Sequence, residues 1–351
     1  MTQLTKRQQK IIDFIATKEK VQNQEIVAFF ASDNDPLSRE TAGRELRELM
    51  ALNYLRMTGR GRSVAYKLRE VHPLLKVFDY ESYLAKDQDL RAPGVTRFDL
   101  NIFSKFSGIF NPAEIQELLK KGENFKKRIA DLSPTIIQKE YERITIELAW
   151  KSSKLEGNTY SLIDTEILIK ERKEAAGHKK EEAIMILNHK KALDYIFKNK
   201  EKFKKISLRD LEDVHRLLVG DLKVEFGLRA KAVGITGTNY RPLDNIYQIK
   251  EAVLKMFEEI NQAADPWSKA LIALLGIAYI QPFADGNKRT SRLLANACLI
   301  ADGVCPLSFR SVDEASYKKA ILLFYELGNA SLMKKIFLEQ YDFAARNYLL
   351  E

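Results

Sequence analysis

The sequence predicts a mainly α-helical protein with more than one domain. Apolar residues recur at three- and four-residue spacings along most of the chain. Only two short stretches break that rhythm. The 351 residues also exceed what one domain of about 150 residues needs. Apolar residues supply 45% of the chain and charged residues 30%, enough for sizeable cores under an ordinary charged surface, which excludes collagen, intrinsic disorder and a disulfide scaffold. The longest apolar run, Ala270 to Ile280, has eleven residues and is too short to span a bilayer. Met1 to Arg7 lacks the apolar stretch of a secretory signal. Cys298 and Cys305 have no metal-ligand spacing and read as buried thiols in a reducing compartment. The expectation is a cytoplasmic protein with no membrane partner.

Taken in order, the elements begin with a unit over residues 1–70. A helix pattern over Lys6 to Thr17 carries Ile11, Ile12, Phe14 and Ile15. A second, after Asn23, carries Ile26, Val27, Phe29 and Phe30. A third opens at Ser38, whose hydroxyl can cap it, and runs through Ala42, Leu46, Leu49 and Met50. The turn signal Thr58-Gly59-Arg60-Gly61-Arg62 then separates Tyr54–Met57 from Val64–Leu68, a hairpin signature. The net charge of +9 concentrates here: Arg56, Arg60, Arg62, Lys67 and Arg69 have no acid between them. Three helices and a basic hairpin resemble a winged helix-turn-helix. Arg39, Thr41 and Arg44 on the third helix suit base edges or phosphates, although Glu40, Glu45 and Glu48 dilute that helix. Arg60 and Arg62 on the wing suit backbone phosphate. The expected DNA contacts are therefore Arg39, Arg44, Arg60 and Arg62. The competing reading is a module for protein contacts only, including a homodimer with a second copy of the chain.

Irregular composition around Ala92-Pro93-Gly94 and Pro112 marks the start of a helical connector over residues 71–202. It includes a helix over about 135–157. A second domain follows over 203–338 and a C-terminal helix over 339–351. Inside the second domain, Ala232 to Leu243 is the other non-helical stretch, where Thr236-Gly237-Thr238-Asn239 predicts a shorter hairpin.

The chemistry concentrates in residues 281–292, Gln-Pro-Phe-Ala-Asp-Gly-Asn-Lys-Arg-Thr-Ser-Arg. Gly286 ends an irregular stretch, and a helix runs on through Leu293, Leu294, Ala297, Cys298 and Ala301 until Gly303. A glycine-containing loop entering a helix gathers free backbone N–H groups and the positive dipole end, which favours phosphate. Arg289 and Arg292, three apart, share a helix face near the same spot. Asp285 could hold a magnesium ion already bound to phosphates. With no lysine-containing Walker loop, these features describe another way of holding a metal–polyphosphate.

This stretch resembles the signature of the Fic (Fido) family, in which a histidine followed by x-Phe-x-Asp/Glu-Gly-Asn-x-Arg-x-x-Arg binds ATP and transfers AMP to a target hydroxyl. Phe283, Asp285, Gly286, Asn287, Arg289 and Arg292 match position by position, and the similarity extends over residues 135–340. The resemblance implies a helical Fido domain with a short β-hairpin flap, and ATP and Mg2+ as cofactors. It implies Asp285 as magnesium ligand, Gly286, Asn287 and Lys288 on the α- and β-phosphates, Arg289 on the β-phosphate and Arg292 on the γ-phosphate. Phe283 would pack beneath the loop. Gly234 and Gly237 of the flap would approach the nucleotide, Thr236, Thr238 and Asn239 would clamp a target segment by strand addition, and Tyr317 would line the adenine pocket. Lys288 replaces the glycine commonest there, a change also seen in the related Doc kinases, so phosphate transfer stands beside AMP transfer.

Position 281 departs from the family: the catalytic histidine is glutamine. A neutral amide cannot take a proton near pH 7, and general-base catalysis contributes about 10²–10⁴-fold. Transfer should fall accordingly while ATP binding survives. An engineered knockout and a natural variant both fit this residue. Ser152-Ser153-Lys154-Leu155-Glu156-Gly157 resembles the family's inhibitory motif, with Ser152 and Glu156 on one helix face. By resemblance, Glu156 would pair with Arg292 in the γ-phosphate's place, as a carboxylate and a phosphate compete for one guanidinium. The function expected is an autoinhibited adenylyltransferase acting on a protein Tyr, Ser or Thr hydroxyl. A DNA-binding transcriptional regulator with a degenerate, nucleotide-sensing domain is the alternative.

Overall fold

The computed structural model describes residues 5–348 apart from 19, 34, 53, 70, 71, 77, 78 and 92–96, and leaves out the side chain of Arg62. The irregular Ala92–Gly94 stretch therefore lies outside the described residues. The chain divides into two compact units, Met1–Ala85 and Lys86–Glu351.

The first unit contains α1 (Lys6–Ala16), α2 (Asn23–Ser32), α3 (Arg39–Ala51), β1 (Leu55–Thr58), β2 (Ala65–Leu68) and α4 (Tyr80–Leu84). Thr5 and Gln8 form a reciprocal capping box on α1, and the Ser38 hydroxyl accepts from the Thr41 N–H at 3.1 Å to start α3. The inward faces of the three helices close a core around Ile11, Ile15, Ile26, Phe30, Leu46 and Leu49. Each such buried side chain contributes about 1.5–3 kcal/mol relative to exposure. β1 pairs antiparallel with β2, Leu55 opposite Leu68 and Thr58 opposite Ala65, and Val21 bridges Tyr66 to tie the hairpin to the helices. Glu45 is not the surface acid the sequence suggests. It is buried and accepts from Gln8 Nε2 at 3.0 Å, so its charge is turned inward. The unit runs on to Ala85 rather than ending at residue 70.

The second unit contains α5 (Pro112–Asp131), α6 (Pro134–Lys154), α7 (Leu162–Glu171), α8 (Lys180–Lys198), α9 (Leu208–Val219), α10 (Ile246–Gln262), α11 (Pro266–Ile280), α12 (Asn287–Ala301), α13 (Glu314–Leu327) and α14 (Ser331–Asn347). Helices α11 and α12 pack on each other at its centre. Every residue from Ala270 to Ile280 is buried, which accounts for the apolar run: a helix that is apolar all round is a central one. Among the described residues, no helix is long and apolar enough to cross a membrane. Both cysteines are free and buried, and burial pushes the Cys298 thiol up to about 12.

Three sequence expectations need correction. Helices α6 and α8 pack on α12, and α8 on α9, so the stretch read as a connector shares its core with the helices that follow. No helix begins at 339. Residues 339–347 are the second half of α14, whose buried face, Phe337, Tyr341 and Ala344, is continuous. The stretch 232–243 turns at Thr236–Gly237 but forms no strand ladder. The carbonyls of Lys231 and Leu243 instead accept from the buried Arg229 guanidinium, which replaces cross-strand pairing at the base of the loop.

Candidate functional site

The turn between α11 and α12 is built from interlocked backbone and side-chain bonds. Gln281 caps α11 in the left-handed region at φ 51°, which costs a non-glycine residue about 1–2 kcal/mol and persists only where the surroundings over-determine it. Here they do. Its N–H donates to the Ile277 carbonyl at 3.0 Å, and its carbonyl accepts from Arg229 Nε at 2.6 Å. Asn287 then folds back on Phe283, its Oδ1 accepting from the Phe283 N–H at 2.9 Å and its Nδ2 donating to the Phe283 carbonyl at 2.8 Å. Gly286 has φ 81°, and a Cβ there would sit 3.0 Å from Val219 Cγ1, so no other residue fits without strain. No side chain caps the first turn of α12, which leaves its leading N–H groups and dipole end for an anion.

Beneath the turn, Phe283 is fully buried and stacks on His215, centroids 3.6 Å apart at 7°. His215 Nε2–H donates to the Asp285 carbonyl at 3.0 Å, and burial pushes the imidazole down to about 4, keeping it neutral. Nothing in residue spacing ties position 215 to this loop.

The charged groups form one cluster. Arg292 is 0% exposed. Its Nη2 donates to the Ser152 carbonyl at 2.8 Å and to Glu156 Oε1 at 3.0 Å, and its Nε to the Ser152 hydroxyl at 2.8 Å. The other Glu156 oxygen takes Lys288 Nζ at 2.9 Å. Burial alone would raise the Glu156 carboxyl, but Arg292 and Lys288 outweigh it and hold it at about 2. Ser152 Oγ donates in turn to His189 Nε2 at 2.9 Å, and His189 Nδ1–H to the Met185 carbonyl at 2.8 Å. Burial keeps that histidine neutral, at about 3. Arg289 is buried, with Nη2 on Asp285 Oδ2 at 2.9 Å and no partner for Nη1. Ser152 and Glu156 do not share a helix face. Ser152 lies in the last turn of α6, and Glu156 lies beyond its end, in a turn closed by Gly157 at φ 96°. The two reach Arg292 from helix and turn respectively.

A cavity of about 260 Å³ is lined by Glu156, Gly234, Thr236, Gln281, Asp285, Gly286, Asn287, Lys288 and Arg289, among others. Several expected residues are elsewhere. Tyr317 is buried behind the cavity, its hydroxyl accepting from Arg292 Nη1 at 3.4 Å and its ring under that guanidinium, so it is absent from the lining. Asn287 spends its side chain closing the loop, which leaves only its N–H for phosphate. Gly237 points its carbonyl at Arg91 Nη2, 2.5 Å away, and Arg91 pairs with the buried Glu326 at 3.2 Å. Thr238 Oγ1 accepts from the Tyr240 N–H, and the Asn239 amide bonds Gln88 and Asp89. These three flap residues therefore already have partners within the chain. The basic residues of the first unit, Arg39, Arg44 and Arg60, are exposed.

Gln281 faces the cavity, yet its amide is committed inward. Nε2 donates to the Ala278 carbonyl at 2.6 Å and the Tyr325 hydroxyl at 3.2 Å, while Oε1 accepts from Asn287 Nδ2 at 3.0 Å. Asp285 is 66% exposed, and no group of three or more His, Cys, Asp or Glu is gathered among the described residues. A lone carboxylate fits only a hard cation that arrives with phosphate ligands of its own, as magnesium does.

Residues 205–299 match the family model described as Fic/DOC. Over that span the chain is similar to a Fic domain. Among curated proteins it is similar to the protein adenylyltransferase Fic of Aedes aegypti, 30% identical over 178 residues covering 49% of this chain and 35% of that one. It is also similar to protein adenylyltransferase fic-1 of Caenorhabditis briggsae, 26% identical over 210 residues covering 58% and 41%. The chain thus spans well under half the length of these relatives. Solved structures share the fold. Fic-1 from C. elegans aligns with a TM-score of 0.54 at 19% identity, covering 67% of this chain and 70% of that one. A Fic-domain signalling protein from Bacteroides thetaiotaomicron aligns at 0.53 and 19%, covering 66% and 95%. Both alignments agree with the mainly α architecture of this chain.

Proposed function

We propose that the Fic domain binds Mg-ATP at the α11–α12 turn and belongs to an adenylyl-transfer enzyme acting on a protein hydroxyl, held off by Glu156 and weakened by Gln281. The observation that carries this reading is the buried Arg292–Glu156 pair, beside an Arg289 Nη1 that has no partner. Burying a charge is costly unless it is paired, and a phosphate satisfies the same donors as a carboxylate. In the loaded site, the N–H groups of Asn287 and Lys288 and the Arg289 guanidinium hold the α- and β-phosphates, and Arg292 takes the γ-phosphate once Glu156 moves away. Asp285 would hold a magnesium ion, whose charge would offset that of the phosphates. Gln281, its amide committed to Ala278, Tyr325 and Asn287, takes no proton. Of the expected flap residues, Thr236 lines the cavity and is left to receive the target segment, while Thr238 and Asn239 brace the loop from behind.

The test is labelling with α-labelled ATP by the Glu156→Gly, Gln281→His protein. Incorporation into the chain itself or into lysate proteins supports the reading, and none contradicts it.

The complete internal bonding of the Gln281 amide favours a second reading. A turn without a base, joined to a unit with exposed Arg39, Arg44 and Arg60, suits a DNA-binding regulator that senses nucleotide. That protein would label nothing, and its DNA affinity would change with Mg-ATP. The phosphotransferase reading suggested by Lys288 separates from both with γ-labelled ATP.

A further inference from the structure

Glu156 is shared between two cations, and that sharing has a consequence for Lys288. We infer that Lys288 is a conditional ligand for the terminal phosphate: committed to Glu156 while the brake is closed, and delivered to the nucleotide when the brake opens. The inference rests on the nucleotide-binding reading above and extends it to a second residue.

The geometry divides the carboxylate cleanly. Oε1 takes Arg292 Nη2 at 3.0 Å and Oε2 takes Lys288 Nζ at 2.9 Å. Both cations project from the first two turns of α12, four residues apart, so they reach one point from one rigid element. They differ in freedom. The Arg292 guanidinium is fully buried and has Ser152 and Tyr317 as acceptors besides Glu156. Lys288 is 36% exposed at its side chain, and its ammonium faces the Glu156 carboxylate. When Glu156 leaves, Arg292 stays where its other acceptors hold it. Lys288 has a flexible four-carbon stem and a compact point charge that can follow a phosphate. Glu156, Lys288 and Arg289 line the same cavity, so the ammonium need not leave the site to change partners. The brake therefore withholds two cations from phosphate rather than one.

A double-mutant cycle read by calorimetry with Mg-ATP tests this. In the Glu156→Gly protein, Lys288→Ala should weaken Mg-ATP binding about tenfold, in line with loss of one hydrogen bond to a charged group, and Lys288→Arg should restore most of it. Mg-ADP, which lacks the terminal phosphate, should lose less than Mg-ATP. In the chain with Glu156 intact, the cost of Lys288→Ala should fall below about twofold, because the ammonium is already spent on the carboxylate. An equal cost in both backgrounds, or no cost when Glu156 is absent, overturns the inference while leaving the nucleotide site standing. No heat from Mg-ATP with Glu156→Gly alone overturns both. Circular dichroism melts of each variant separate loss of ligand from loss of fold.

Discussion

Arginine does opposite work in the two units. In the first, Arg39, Arg44 and Arg60 stand in solvent, and Arg44 only brushes Glu45 and Glu48 at 3.8 and 3.9 Å. Exposed pairs of that kind contribute about 0–1 kcal/mol, so these side chains add little to the fold and are free to meet an external anion. In the second, Arg229, Arg289 and Arg292 are each at most 3% exposed. Arg229 spends its donors on the carbonyls of Lys231, Leu243 and Gln281, a bracket between the flap base and the helix cap. Arg292 has a carboxylate, and Arg289 has one carboxylate and one idle nitrogen. A residue composition that looks uniform in sequence is thus divided by burial into screening charge and positioned charge.

The largest effect that could break this comparison lies at position 281. Gln281→His, made with Glu156→Gly, should raise AMP incorporation by about 10²–10⁴-fold over Glu156→Gly alone, read with α-labelled ATP. No gain would mean that the positioned charges serve binding without transfer. Next, Arg292→Ala in the Glu156→Gly protein should weaken Mg-ATP about a hundredfold, since charge-assisted hydrogen bonds contribute about 1.5–3 kcal/mol each. A change of only a fewfold would place the terminal phosphate elsewhere.

How much of this was legible in residues alone divides along the same line. Helices α1 to α3 and the hairpin follow from periodicity, the Ser38 cap and the glycines at 59 and 61, all local signals. Gly286, the start of α12 and the Arg289–Arg292 spacing are local too. The contacts of His215 with Asp285, of His189 with Ser152 and of Arg91 with Gly237 join positions far apart in sequence, and no pattern of spacing announces them. Residues 88–91 illustrate this well, since they engage the flap from a stretch that looks like featureless connection. The missing flap ladder has a similar cause: Arg229 supplies from its side chain the donors that strand pairing would have supplied from the backbone. The four-residue spacing puts Glu156 on the face of α6, but the helix ends at Lys154 and Gly157, at φ 96°, closes the turn that carries it.

Stability gives a smaller effect. Glu156→Gly leaves Arg292 buried without its carboxylate, a loss of about 3–5 kcal/mol in a simple buried pair. The oxygens of Ser152 and Tyr317 remain, so about 2 kcal/mol is expected, read from the urea midpoint and regained on adding Mg-ATP. Acid probes the same contact. The Glu156 carboxyl is held at about 2, below its ordinary 4.5, so its contribution is complete above pH 4.5 and fades as pH falls towards 2. The Glu156→Gly protein should lack that acid-sensitive increment.

The smallest effects belong to the exposed arginines. Arg44→Ala and Arg60→Ala should each leave the melting midpoint unchanged, lower duplex DNA affinity severalfold and reduce the slope of log affinity against log salt by about 1. An affinity indifferent to salt would remove DNA from the account.

The most direct measurement is a calorimetric titration of Mg-ATP into the Glu156→Gly protein. A saturable heat at one site per chain, weakened about a hundredfold by Arg292→Ala in a variant that still melts cooperatively, is the expected result. A flat titration from folded Glu156→Gly protein would contradict the claim that this turn holds a triphosphate.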